Sequence, residues 1–304
     1  MASGNFLGLG IDAGGTQTRW ALAGPDGVIY AEGDTAGLSA LQMSSSDGRA
    51  SVHATFTALT QAVLRHGRPQ GVRAGLTGFG GESAQLQSWL AELLGIGLDA
   101  VTLCNDIEIA YLGCFTPGQG YLVYAGTGSI GAYIDANNVF QRAGGRGVML
   151  DDGGGGFWIA REALRSIWRI EDERPGAWQA SPMARAVFAY VGGDDWAKSR
   201  QFIYGQERGE VGKLALAVAA SVDADPAALA ILQAAGVELA RLARALTERF
   251  GVRPVALSGR ASNLHPAIAQ AMRAALPDNI DLTPTTCLAH HAAARLAAND
   301  LRHP

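Results

Sequence analysis

Asp12 closes a short apolar run, Phe6, Leu7, Leu9 and Ile11, and is followed at once by Gly14, Gly15 and Thr16. A turn this rich in glycine brings backbone close to a ligand, and its N–H groups can form a nest for an anion. A carboxylate at the mouth of such a turn suits a Mg2+ ion carried on a bound phosphate. The plainer reading of Asp12 is a turn carboxylate bonding nearby N–H groups. A buried strand seldom ends in an uncompensated acid, which favours the chemical reading.

The same arrangement returns roughly 110 residues later, where apolar residues 121–125 lead into Gly126, Thr127, Gly128 and Ser129. Two more glycine clusters follow, Gly144, Gly145, Arg146 and Gly147, then Asp151, Asp152 and Gly153 to Gly156. No packed core requires that much glycine, so a loop pressed against a ligand is expected there. Asp152 is offered as an acceptor for a ligand hydroxyl, against ordinary loop composition. Arg146 either reaches the ligand or pairs with Asp151 or Asp152 on the surface. Asn105 and Asp106 stand where an apolar stretch, residues 101–104, meets the start of a helix. By position alone Asp106 reads first as a helix N-cap, worth about 1 kcal/mol.

The elements that must hold these residues follow from periodicity. Residues 6–11 and 16–23 read as two strands joined by the glycine turn, ending in Gly24-Pro25-Asp26-Gly27, with a third strand at 28–31. Residues 33–46 read as a polar loop. Asp47 reads as the cap of a helix to about residue 65, with apolar positions 52, 56, 59 and 63. A strand at 72–76, a helix at 82–94, a strand at 101–104 and a helix at 107–112 complete a mixed sheet with flanking helices. The second hairpin covers 121–134, followed by a strand at 139–140. A helix at 157–168 opens on the glycine run, where its dipole would favour an anion. Residues 171–182 read as a polar connector, 183–190 as a short helix, 192–209 as polar and mixed, and 211–221 as helical. Asp225-Pro226 opens a long helix over 227–250, with cap and proline in their proper places. A strand at 255–257, a turn at Ser258-Gly259-Arg260, a helix from His265-Pro266 to residue 275, a strand at 280–282 and a helix at 288–298 end the chain.

Gly8, Gly10 and Ala13, with Glu32 or Asp34 beyond, fit the dinucleotide pattern G-x-G-x-x-G/A. That fingerprint needs a helix directly after the glycines, whereas residues 16–23 read as a strand, so the dinucleotide reading is set aside. His290 and His291 are adjacent on a helix, point in different directions and are not expected to share a metal. Arg241, Arg244, Glu248 and Arg249 read as a solvated helix face.

With 304 residues, 48% hydrophobic and 17% charged, the chain has about two domains' worth of length and a sizeable core. A net charge of −4 gives no case for nucleic acid or an anionic membrane. Three cysteines, Cys104, Cys114 and Cys287, lack metal-ligand spacing, and an odd count argues against a secreted disulfide framework. There is no basic-then-apolar signal segment, no apolar run reads as a membrane span, and a cytoplasmic location is expected.

The D-x-G-G-T-x-T hairpin, the A-G-T-G-S hairpin and the late S-G-turn-helix together resemble the actin-like ATPase fold of sugar kinases, Hsp70 and actin. In detail the chain resembles the N-acetylglucosamine and glucosamine kinases of the BadF/BadG/BcrA/BcrD ATPase family, over almost its whole length. The resemblance implies an α/β, duplicated ribonuclease H-like fold, two lobes with an interdomain cleft. They would span residues 1–115, joined by the returning helix 288–304, and 116–287. A ligand would be gripped between the two hairpins.

The resemblance further implies ATP and Mg2+ as cofactors and a small-molecule sugar as substrate, and leaves a homodimer open. Gly14, Gly15, Thr16 and Thr18 match the first phosphate loop, with Asp12 near the magnesium ion. Gly126, Thr127, Gly128 and Ser129 match the second, and Ser258 and Gly259 the turn against the adenosine. Asp106 matches the catalytic aspartate that takes the proton of the attacking hydroxyl, expected at the sugar's 6-position. Gly145, Arg146, Gly147 and Asp152 match the sugar loop, and Ser39 lies in a further sugar-contact segment, residues 37–41. That segment carries Leu41 where the family usually has asparagine, which bears on sugar identity. Two rivals are an ATPase activating a dehydratase-type partner, which needs cluster cysteines in a pattern absent here, and a non-catalytic nucleotide or sugar sensor. A glucokinase with a zinc-binding cysteine cluster is excluded by the cysteine count.

Overall fold

Strand alternation decides how the first half of the chain is built. In β1 (Gly8–Ala13), Leu9, Ile11 and Ala13 share one face, and Gly8, Gly10 and Asp12 the other. The computed structural model describes residues 6–81 and 84–300. They form two compact units, residues 1–116 with 287–304, and residues 117–286. Residues 301–304 of the returning segment and the helix start expected at Glu82 lie outside the described residues.

The first unit continues with β2 (Gln17–Ala23), β3 (Ile29–Ala36), α1 (Ser46–Leu64), β4 (Gly71–Leu76), α2 (Ala84–Leu94), β5 (Val101–Asn105) and α3 (Asp106–Leu112). Its sheet runs β3-β2-β1-β4-β5. β1, β4 and β5 are parallel, and β2 and β3 are antiparallel additions. Leu9 and Ile11 join Leu22, Phe56, Leu59, Leu76, Leu86 and Leu90 in the core under α1 and α2. On the opposite face lies α11 (Ala289–Asp300). A Cβ on Gly8 would sit 2.2 Å from the Ala298 nitrogen, and one on Gly10 2.1 Å from the His290 carbonyl. Only glycine allows this contact between helix and strand backbones.

The second unit holds β6 (Tyr121–Ala125), β7 (Ser129–Ile134), β8 (Phe140–Gly144), α4 (Gly156–Glu173), α5 (Pro182–Val191), α6 (Trp196–Gly205), α7 (Arg208–Lys213), α8 (Ala215–Ala219), α9 (Pro226–Phe250), β9 (Val255–Ser258), α10 (Pro266–Ala274) and β10 (Leu282–Pro284). Its sheet runs β10-β9-β6-β7-β8, with β6, β9 and β10 parallel. α9 packs across β6, β7 and β8, burying Leu239, Leu242 and Leu246. Asp225 caps it by accepting from Ala227 N at 3.0 Å, and Pro226 takes the first turn. α9 is the one described helix long and apolar enough to cross a membrane, contrary to expectation, and half of that window is buried within the unit. An apolar core helix meets the same length and composition test.

Several local expectations are corrected. β3 runs on to Ala36 through residues that read as loop, followed by a short 3-10 turn at Ala40–Ser44. As the sheet edge it alternates half-buried with exposed positions, so polar Glu32 and Asp34 cost it nothing. Ser45, not Asp47, caps α1, accepting from Gly48 N at 3.1 Å. α6 fills the stretch read as polar and mixed, capped by Asp195. Residues 211–221 are divided between α7 and α8 rather than forming one helix, α4 extends into the supposed connector, and β10 lies two residues later than expected.

Candidate active site

Pairing registers bring the first unit's candidates to one edge. Ala13, Leu76 and Asn105 are aligned across β1, β4 and β5, so the residues that follow them emerge side by side. Ligands of open α/β sheets gather at such carboxyl ends. Thr77 N–H donates to Ala13 O at 2.9 Å, and Thr77 Oγ1 donates to the Asp106 carboxylate in a short hydrogen bond. The helix cap is Asn105, whose Oδ1 accepts from Ile107 N at 3.0 Å. Asp106 is the first residue inside α3, so its carboxylate is not the N-cap that its position suggested. Gly75 makes room for it: a Cβ there would lie 3.0 Å from Asp106 Cα.

Both Asp12 and Asp106 are held above the usual carboxylate range. Burial, then the Asp106 charge, pushes Asp12 up to about 6, against the pull of Arg19. Burial also raises Asp106, opposed by the Thr77 hydroxyl and the Ile107 N–H. This edge therefore carries two partly buried carboxylates short of positive charge, the donor set that a hard divalent cation satisfies.

The loop after β3 lies against the first glycine turn. Leu38 N–H donates to Gly14 O at 3.1 Å, and a Cβ on Gly37 would collide with Gly15 and Thr16 backbone. Ser39 Oγ and Ala40 N–H donate to Thr77 O at 3.2 and 2.9 Å. Ser39, Thr77 and Asp106 thus form one hydrogen-bonded chain. Leu41, two-thirds exposed, sits over Gly78 beside that chain. Gly15 and Thr16 are exposed, whereas Thr18 is buried within β2 with its Oγ1 unpartnered, and so does not belong to the open turn.

In the second unit the candidates form one packed cluster. Gly126 N–H donates to Gly128 O at 2.9 Å, and Ser129 Oγ donates to Gly153 O at 2.7 Å. Asp152, in the left-handed region at φ 54°, accepts from Gly147 N at 3.0 Å and lies beneath Gly128. Burial pushes Asp152 above the usual carboxylate range, while the Gly147 and Arg146 amides pull it down. Ser258 is buried at the end of β9, and Gly259, at φ 108°, turns against Ala125 where a Cβ would lie 2.2 Å from the carbonyl. The turn thereby adjoins the 126–129 loop.

One expectation fails here, and one of the alternatives offered for Arg146 is ruled out. Gly156 and Phe157 N–H groups are spent on Gly126 and Thr127 carbonyls at 2.9 Å, so the start of α4 braces the loop instead of receiving an anion. Asp151 pairs with Arg241 at 2.9 Å rather than with Arg146, which is exposed, and Arg241 also holds Glu238. Arg241 is therefore a tether between α9 and this loop. Thr77 went unrecognised as a site residue, although its place in Thr-Gly at the end of a strand was a usable signal. A groove of about 450 Å3 between α9 and α10 contains none of these residues.

The profile of the BadF/BadG/BcrA/BcrD ATPase family matches residues 9–286. An N-acetyl-D-glucosamine kinase from Dictyostelium discoideum is 33% identical over 103 residues, 33% of this chain and 32% of that protein. The chain thus matches about a third of that curated relative's length. The solved structure of a candidate N-acetylglucosamine kinase from Chromobacterium violaceum superposes with a TM-score of 0.70 at 26% identity, covering 96% of this chain and 99% of the other. A second, from Porphyromonas gingivalis, gives 0.71 at 16% identity over 97% and 99%. The fold is the α/β fold of the actin-like ATPases, shared with sugar kinases.

Proposed function

The chain belongs to the BadF/BadG/BcrA/BcrD ATPase family, and on that premise we propose that it is an ATP-dependent kinase of an amino sugar, N-acetylglucosamine or glucosamine. The observation that carries this reading is the Asp106 carboxylate. It stands inside the first turn of α3 at the strand-end edge, held by Thr77 and close enough to Asp12 to raise its pKa.

Phosphoryl transfer is largely positioning and neutralisation of charge. Asp12 would hold the nucleotide's Mg2+, which neutralises phosphate charge when bound. Asp106 accepts the proton of the sugar's 6-hydroxyl as that oxygen bonds to the γ-phosphorus and the bond to the ADP oxygen breaks. The Thr77 hydrogen bond fixes one carboxylate oxygen and favours its ionised form. Gly14, Gly15 and Thr16 offer an open backbone turn to phosphate, and residues 126–129 a prepacked one, with Ser258 and Gly259 beside it for the adenosine. Ser39, Gly145, Arg146, Gly147 and Asp152 are assigned to the sugar, and Leu41 offers an apolar contact rather than a hydrogen bond. The enzyme is assigned to the cytoplasm.

ATP consumption measured with glucosamine, N-acetylglucosamine, N-acetylmuramic acid, glucose and no sugar tests the proposal. Turnover should require an amino sugar. Equal turnover without sugar would replace the kinase with a partner-activating ATPase, and no turnover with nucleotide still bound would indicate a sensor.

A further inference from the structure

Where adjacent histidines were expected to diverge, His290 and His291 converge. Their ring centroids lie 4.4 Å apart in an edge-on arrangement at the start of α11, and both turn toward Glu32 on β3. One ligand atom from each of the three residues lies within 4.8 Å of the others. We propose that Glu32, His290 and His291 form a binding site for a divalent transition-metal ion of the zinc class, tying α11 to the edge strand of the first unit.

The cluster alone would be an ordinary surface ion pair, since His291 Nε2 contacts the Glu32 carboxylate, which is largely exposed. His290 makes it more. It is 5% exposed, its Nδ1 has no hydrogen-bond partner, and its Nε2 stops 3.7 Å from Glu32 Oε2, beyond hydrogen-bond reach. A buried imidazole with one nitrogen orphaned and the other held only loosely is costly. Glu32 supplies the one carboxylate of the cluster, an anionic donor for a cation. Two imidazoles and one carboxylate, with further positions open, are the ligands of zinc-class ions rather than of Mg2+ or Ca2+.

The site is separate from Asp12 and Asp106 and does not rest on the kinase reading. Its consequence is mechanical. Glu32 and His291 are 259 residues apart, so an ion held by both would crosslink β3 to the helix that returns after the second unit.

The test is a Zn2+ titration of untagged, chelator-stripped protein, read by competition with a chromophoric chelator and by thermal midpoint. We expect one ion per chain and a midpoint raised by about 2–5 °C. Glu32→Gln, at an exposed position, and His291→Asn, at a half-buried one, should each weaken affinity at least about 10-fold and remove the midpoint shift. The double variant Cys114→Ser, Cys287→Ser should bind as the parent does. Absence of one-to-one binding below about 100 µM Zn2+ would overturn the proposal, as that is far weaker than the affinities of built sites. Binding that survives Glu32→Gln and His291→Asn, or vanishes in the cysteine variant, would overturn it equally.

Discussion

The two glycine turns read alike in sequence and are built differently. The first, after Asp12, is open: Gly15 is exposed and a Cβ there would meet nothing within 4 Å. The second is closed around itself. A Cβ on Gly128 would lie 2.1 Å from Asp152 Oδ2, and the leading amides of α4 occupy the Gly126 and Thr127 carbonyls. The first turn ends a strand whose carboxylate is pushed up to about 6, and the second is a backbone cradle with its bonds already made and the Asp152 carboxylate packed beneath it. Glycine serves access in one and internal packing in the other. Accessible backbone therefore lies in the first turn, and internal packing in the second.

The sharpest test of that division is Asp106→Asn, which should lower kcat by about 10²–10⁴-fold while nucleotide affinity, measured by calorimetry, is unchanged. Near-normal kcat would move the chemistry elsewhere. Next, Gly128→Ala should destabilise the chain by about 2–4 kcal/mol in urea unfolding, because Asp152 must move. Gly15→Ala should stay within about 1 kcal/mol of the parent. Equal effects would erase the distinction between the two turns.

Asp12→Asn should abolish Mg2+-dependent activity yet stabilise the metal-free protein by about 1–3 kcal/mol above pH 6. The sign follows from a folded pKa of about 6 above an unfolded value of 3.8. Protonation favours the native state, so stability present below about pH 4 is lost as pH rises through 6, and asparagine removes that loss. Thr77→Val should cost about 10-fold in kcat and move the acid limb of the pH–rate profile upward, since the Thr77 hydroxyl holds Asp106 down. Thr77→Ser should restore both. The smallest effect belongs to Arg241→Ala, about 0.5–1 kcal/mol with kcat unchanged, because its pairs with Asp151 and Glu238 are half exposed.

What was legible in the sequence had local causes. Both hairpins, the Asp225-Pro226 helix start and the position of Asp106 at a strand-to-helix junction follow from apolar runs, glycine turns and caps. What was not legible depended on contacts across the chain. β3 hid in loop-like residues because an edge strand can expose every second side chain. Asn105 competed with Asp106 for one cap, and only the backbone geometry distinguishes them. Arg241 meets Asp151 across 90 residues, and His290 meets Glu32 across more than twice that span, so no local pattern announces either.

Helix α11 lies on Gly8 and Gly10 at a separation that admits no side chain. During synthesis, β1 must wait for α11, made some 280 residues after it, while residues 117–286 form an uninterrupted stretch that can complete its sheet in between. Until α11 is made, the nascent first unit carries one face of its sheet bare, the interval in which a chaperone would matter most.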